Sequence, residues 1–216
     1  SVSLGLNGQM EWPQVGLYSL AQLLGGCGAG GCVRALFGKP IPVGPVGDYG
    51  FGEAFFAELI YTAMLCFVVN CCAVSKRNNP PTDPNQFYAL AIGFVIVAGG
   101  YAVGPVSGAA FNPAVACGLA VTSGIGSCMS YAGAQFLGCV LGTKLFGVMR
   151  GQEELLVGHL LETFSPTLAV RCMSEVLGTF VLVLTVGLNL VNGSVSTAWS
   201  AAAALMCMIY SLGNVS

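Results

Sequence analysis

Charge is what this sequence has least of. Only 7% of its 216 residues are Asp, Glu, Lys or Arg, against 55% that are hydrophobic. Soluble domains carry about 25% charged residues, so this chain could not cover a water-facing surface. Its mean hydropathy of +0.79 places it in a lipid bilayer. Lys and Arg number 7 and Asp and Glu 9, a net charge of −2. That leaves no electrostatic footprint for phosphates and excludes nucleic acid as a partner. Histidine occurs once, as His159, in a linker where a solvated side chain is its simplest role. No Ser/His/Asp, Cys/His or glycine-rich phosphate arrangement is present, so neither an enzyme nor a bound cofactor or metal is expected. No signal-peptide pattern opens the chain, and it does not open on methionine, from which a non-native N-terminus is expected.

Glycine and cysteine are plentiful by contrast. The 31 glycines follow no collagen-like period and sit within apolar runs, where small residues let membrane helices approach closely. The 10 cysteines lie almost entirely in the same runs. There they read as small buried hydrophobes rather than disulfide or metal partners.

A helix needs about 20 apolar residues to cross the hydrocarbon core. Runs at residues 15–37, 54–74, 87–104, 129–149 and 173–191 approach or meet that length, and Thr197–Leu212 is a shorter sixth. An apolar piece at 111–121, just past Gly104-Pro105, is too short to span and reads as a half-helix. The connections at 75–86 and 151–167 are polar. Lys76, Arg77, Arg150 and Arg171 fall on one side of the membrane and Arg34 and Lys39 on the other. This bias puts the two polar connections in the cytoplasm. The glycosylation tripeptide Asn192-Gly193-Ser194 is then outside.

The chain repeats itself. Tyr18-Ser-Leu-Ala-Gln22-Leu-Leu-Gly25 recurs as Tyr131-Ala-Gly-Ala-Gln135-Phe-Leu-Gly138, and the Glu58…Thr62 pair recurs as Glu175…Thr179. Gly104-Pro-Val-Ser107 recurs as Gly213-Asn-Val-Ser216, and 116–121 resembles 1–6. One repeat holds three spans and a half-helix, so consecutive repeats enter the membrane in opposite senses.

Between spans, at membrane depth, stands Ser107-Gly-Ala-Ala-Phe-Asn-Pro-Ala-Val-Ala-Cys-Gly118. Asn112 is a helix N-cap and Pro113 a first helical residue whose missing N–H costs nothing. Together with LAIGF at 90–94, the Glu…Thr pairs and the YxxAQxLG repeats, this loop resembles the aquaporin (major intrinsic protein) family over nearly the whole chain. The resemblance implies an all-α membrane protein: an aquaporin-like bundle of six transmembrane helices plus a re-entrant half-helix, an inverted repeat here in permuted order. On that reading residues 1–150 run from the end of the first pore loop through the sixth helix of one unit. Residues 151–170 are a cytoplasmic linker, and 171–216 are the first two helices of a following unit.

The resemblance also implies a passive multi-pass channel for water or small neutral solutes such as glycerol, urea, ammonia or hydrogen peroxide, assembled as a homotetramer in the bilayer. Asn112, Pro113 and Ala114 are the pore motif. The carbonyls of Val106, Ser107, Gly108, Ala109 and Ala110 are a ladder of acceptors, and Glu58 and Glu175 are intramembrane carboxylates that support the loops. A proton-coupled transporter using either acid, and a scaffold that does not conduct, are the rivals. The selectivity filter falls on Gly100, Ala109, Val115 and Ala201, with Tyr101 replacing Gly100 if the alignment slips by one. Val115 stands where the family's second motif carries arginine, and Ala116 where glycerol facilitators carry an acid. Asn-Pro-Ala-Val is usual at the first motif, whereas LAIGF and the Lys76-Arg77 loop point to the second.

Overall fold

The computed structural model describes residues 1–38, 42–76, 78–80, 85, 87–124, 126–155, 167, 169–170, 174, 177, 185 and 193–212. Every regular element among them is helical. In chain order these are α1 (Val2–Leu6), α2 (Trp12–Phe37), α3 (Phe51–Val69), α4 (Tyr88–Ser107), α5 (Pro113–Ser123), α6 (Gly126–Leu155) and α7 (Thr197–Leu212). All but residues 174, 177 and 185 of the run expected at 173–191, the linker at 156–166, Lys39, Arg77, Arg171, Glu175, Asn192 and the segment 213–216 lie outside the described residues.

Among the described residues three helices are long and apolar enough to cross a membrane: Phe51–Val74, Tyr88–Ser107 and Cys128–Arg150. Helix α2, Trp12–Phe37, has 26 residues, enough by length to cross a membrane. Helix α7 is apolar but has only 16 residues. The span expected to stop at Gly104 runs on to Ser107, with Pro105 inside its last turn. There the missing proline N–H removes one bond without ending the helix.

The helices form two compact units, Ser1–Ala63 with Val103–Leu141 and Met64–Ala102 with Gly142–Ser216. Small residues hold the first unit together. A Cβ at Gly118 on α5 would lie 2.5 Å from the Gly26 carbonyl oxygen of α2, and one at Gly30 would collide with the Gly118 carbonyl. Gly26 and Gly30 are four apart, hence on one face of α2, and α5 lies directly on that face. Gly138 does the same for α6 on α3: a Cβ there would lie 3.0 Å from Thr62 Cβ and against the Leu59 carbonyl. Val43, Ala54, Ala116, Ala120, Cys128 and Tyr131 form the buried core around α5.

Helix α3 starts with a side-chain cap. Glu53, in its first turn, accepts the Gly50 N–H at 3.0 Å, the back half of a capping box.

In the second unit the chain after α3 widens into a π-turn over Asn70–Val74, where Ser75 N–H donates to the Asn70 carbonyl at 2.9 Å. Helices α4 and α7 pack through two contacts seven residues apart on each helix. Ser200 Oγ donates to the Ala98 carbonyl (2.8 Å) and Cys207 Sγ to the Ala91 carbonyl (3.2 Å). Trp199 tilts against Phe94, with ring centroids 5.5 Å apart. Buried Arg150 donates to the Ser211 carbonyl in the last turn of α7 (2.9 Å), a favourable place for a cation.

The glycine crossing makes a prediction. Gly30→Val is expected to destabilise the protein by roughly 1–3 kcal/mol, lowering the thermal unfolding midpoint in detergent. Gly28→Val, where a Cβ meets nothing within 4 Å, leaves the midpoint close to that of the unsubstituted protein. Equal midpoints for the two variants would contradict the crossing.

Candidate functional site

Between α4 and α5 the backbone leaves helical geometry. Gly108 takes φ +79°, Ala109 +53° and Phe111 +48°. For residues with a Cβ the left-handed region costs roughly 1–2 kcal/mol each, so Ala109 and Phe111 need compensation. Asn112 then returns to extended backbone (φ −152°, ψ 123°) and caps α5, its Oδ1 accepting the Ala114 N–H at 2.9 Å. Pro113 occupies the first helical position.

The compensation comes from Glu58, which is wholly buried on α3. Its Oε1 accepts from Ser107 Oγ (2.8 Å) and the Ala110 N–H (2.9 Å). Its Oε2 accepts from the Phe111 N–H (2.7 Å) and Gln135 Nε2 (2.8 Å). A carboxylate offers about four acceptor sites, and all four are taken by donors. A proton on Glu58 would have to displace one of these bonds, an arrangement suited to anchoring a loop and unsuited to relaying protons. Ser107 Oγ in turn accepts the Ala109 N–H at 3.1 Å. The Phe111 ring lies 5.5 Å from that of Tyr61 on α3.

Two further residues build the site. Tyr131 Oη donates to the Ser107 carbonyl at 2.8 Å, and Gln135 reaches Glu58 from the next turn of α6. Both are buried and lie four apart on one helical face. They were not among the expected site residues, although both stand in the YxxAQxLG repeat, and a polar pair at helical spacing inside an apolar run was the available signal. In the first copy Tyr18 is exposed, and Gln22 donates to Ser1 Oγ at 3.1 Å.

Of the five carbonyls expected to form an acceptor ladder, two are engaged by the protein. Val106 accepts the Val46 N–H at 3.0 Å and Ser107 accepts Tyr131. Both end α4, where carbonyls have lost their helical partners. The carbonyls of Gly108, Ala109 and Ala110 accept no hydrogen bond among the described residues. Asn112 is exposed, and its side-chain amide N–H groups have no partner among the described residues. Ala109 and Val115 belong to the first unit and Gly100 and Ala201 to the second. Val115 is exposed and Ala109 half-buried, and a Cβ added at Gly100 would meet nothing within 4 Å.

Against this geometry the profile of the family described as Major intrinsic protein matches residues 1–98 and 46–216. The chain belongs to the major intrinsic protein family. With its long apolar helices it is an integral, multi-pass membrane protein. Similar relatives include "Probable aquaporin NIP-type" of Nicotiana alata, 27% identical over 72% of this chain and 57% of its own length. "Aquaporin NIP1-1" of Zea mays is 30% identical over 69% of this chain and 52% of its own length. "Glycerol uptake facilitator protein" of Streptococcus pneumoniae is 36% identical over 61% and 62% respectively. The chain thus spans little more than half the length of the curated plant relatives it matches.

The Glu58 cluster predicts a graded response. Glu58→Gln turns one acceptor oxygen into a donor facing N–H or O–H groups, and is expected to cost on the order of 3 kcal/mol. Tyr131→Phe, which leaves the Ser107 carbonyl without this donor, is expected to cost about 1 kcal/mol. Unfolding midpoints in detergent that rank the two variants in the opposite order would contradict this assignment.

Proposed function

We propose that this chain forms a passive membrane pathway for water or small neutral solutes, lined by the loop at 107–112 and the start of α5. The observation that carries the reading is Asn112: its oxygen is committed to capping α5, while its amide donors have no partner among the described residues and stand at an exposed helix N-terminus. That end of a helix carries partial positive charge. A neutral solute gains donors from Asn112 and acceptors from the carbonyls of Gly108, Ala109 and Ala110. A cation meets donors and a positive dipole, and a proton cannot pass along a water file through a donor-only centre. Glu58 holds the loop, and the family resemblance assigns Glu175 the same role for a second pore loop.

The family resemblance adds assembly and order. Four copies, each with its own pathway, associate in the bilayer. Residues 1–150 correspond to the end of one pore loop through a sixth helix, 151–170 to a linker and 171–216 to two helices of a following unit. In that order the resemblance assigns the filter positions to Gly100, Ala109, Val115 and Ala201, all small or apolar and uncharged, which suits solutes larger than water. Relatives named as aquaporins and as a glycerol uptake facilitator fit that range.

One observation favours a second order. A single profile match running from 46 to 216 is colinear with the family. A pore loop preceded by two helices and followed by three runs then takes the first-motif place, where Asn-Pro-Ala-Val is usual. Val115→Arg separates the two orders: selective loss of glycerol flux goes with a filter position, whereas flux unchanged or lowered uniformly goes with the first-motif order.

Vesicles containing the protein are expected to swell faster than empty vesicles under both water and glycerol gradients. Swelling no faster than in empty vesicles for either solute would contradict the channel and leave a non-conducting scaffold. Asn112→Asp keeps the cap but removes the amide donors and adds negative charge. It is expected to retain folding and to admit protons, read as faster dissipation of a pH gradient than with Asn112.

A further inference from the structure

Ten cysteines in apolar runs read as packing residues, and Cys207, donating to the Ala91 carbonyl, behaves as one. Cys117 and Cys128 differ. Their sulfurs are 3.0 Å apart, in contact with each other across α5 and α6. Cys117 lies on the second turn of α5, partly exposed, whereas Cys128 begins α6 and is 2% exposed. An accessible thiol beside a buried one is the arrangement in which the first is oxidised and the second resolves it. A disulfide requires about 2.05 Å between sulfurs, so closing the pair needs roughly 1 Å of side-chain movement from the observed contact.

We infer that Cys117 and Cys128 are a redox-modification site, a thiol pair that closes into a disulfide and fastens the pore half-helix α5 to α6. The oxidant is hydrogen peroxide, a small neutral solute able to reach the exposed face of α5. The Cys117 thiol, whose pKa burial and the neighbouring Cys128 push up to about 11, gives up its proton as its sulfur attacks one peroxide oxygen. The O–O bond breaks, the other oxygen leaves as hydroxide and takes the proton Cys117 released, and the products are a sulfenic acid and water. The Cys128 sulfur then attacks the Cys117 sulfur, the S–O bond breaks, and hydroxide leaves with the Cys128 proton as a second water. Two thiols and one peroxide give one disulfide and two waters. The bond forms next to Ala116, Ala120 and Tyr131 in the core that seats α5. It therefore restrains the helix whose first residues follow Asn112, whether or not the protein conducts.

The test uses the full chain in lipid vesicles, treated with hydrogen peroxide, blocked with N-ethylmaleimide, then unfolded, digested and weighed. The expected result is loss of maleimide at both Cys117 and Cys128 in a species two hydrogens lighter, with both labels restored by dithiothreitol before blocking. In Cys128→Ser, dimedone is expected to trap a sulfenic acid at Cys117 that the unsubstituted protein does not retain. Full maleimide labelling of both residues after peroxide, or Cys117 linked to Cys27 with Cys128 still labelled, would overturn the inference. If Cys128→Ser fails to fold, the labelling of the unsubstituted protein decides alone.

Discussion

Everything distinctive about this structure depends on one buried carboxylate. A loop crossing apolar surroundings has no water for its amides, and each unpaired backbone group there costs several kcal/mol. Residues 108–111 make no backbone hydrogen bond with one another among the described residues, and Gly108, Ala109 and Phe111 take left-handed backbone. Glu58 resolves the conflict by gathering the inward-facing amides of Ala110 and Phe111 and the Ser107 hydroxyl onto two oxygens. The carbonyls of Gly108, Ala109 and Ala110 accept no hydrogen bond among the described residues. One acid satisfies the loop's donors, and on the proposed function the free carbonyls serve the solute.

The carboxylate is useful only if the helices around it are close. Gly138 lets α6 rest on the backbone of α3 at Leu59–Ala63, which brings Gln135 and Tyr131 onto the loop. Gly26 and Gly30 let α2 rest on α5, which holds the other end of the loop. In lipid there is no hydrophobic drive between helices, so close approach through small residues and buried polar contacts supplies the association. The abundance of glycine and the buried Glu58 are parts of one solution: small residues set the distances, and the acid uses them.

Much of this was legible in the sequence, for reasons particular to each element. Asn112-Pro113 announces a helix start because capping and the missing proline N–H are local chemistry. Glu58 stands out because a carboxylate inside an apolar helix demands partners. The course of the loop was not legible. Left-handed conformation at glycine can be anticipated, but at Ala109 and Phe111 it is imposed by tertiary bonds that no local pattern encodes. Nor does the sequence tell that α4 persists through Pro105, which deprives only the Tyr101 carbonyl of its helical donor, within two turns of the helix end. Tyr131 and Gln135 were visible as a repeat and not as a site, because likeness between two segments does not say what they face. The contact of Cys117 with Cys128 depends on how α5 folds back against α6 and has no spacing signature at all.

The account rests on the Glu58 carboxylate binding the loop amides in the protein as it sits in the membrane. Residue-resolved hydrogen exchange in lipid measures this directly. The amides of Ala110 and Phe111 are predicted to exchange as slowly as those of the flanking helices, while the Asn112 amide, which has no acceptor among the described residues, exchanges quickly. Rapid exchange at Ala110 and Phe111, at the rate of Asn112, would contradict the account.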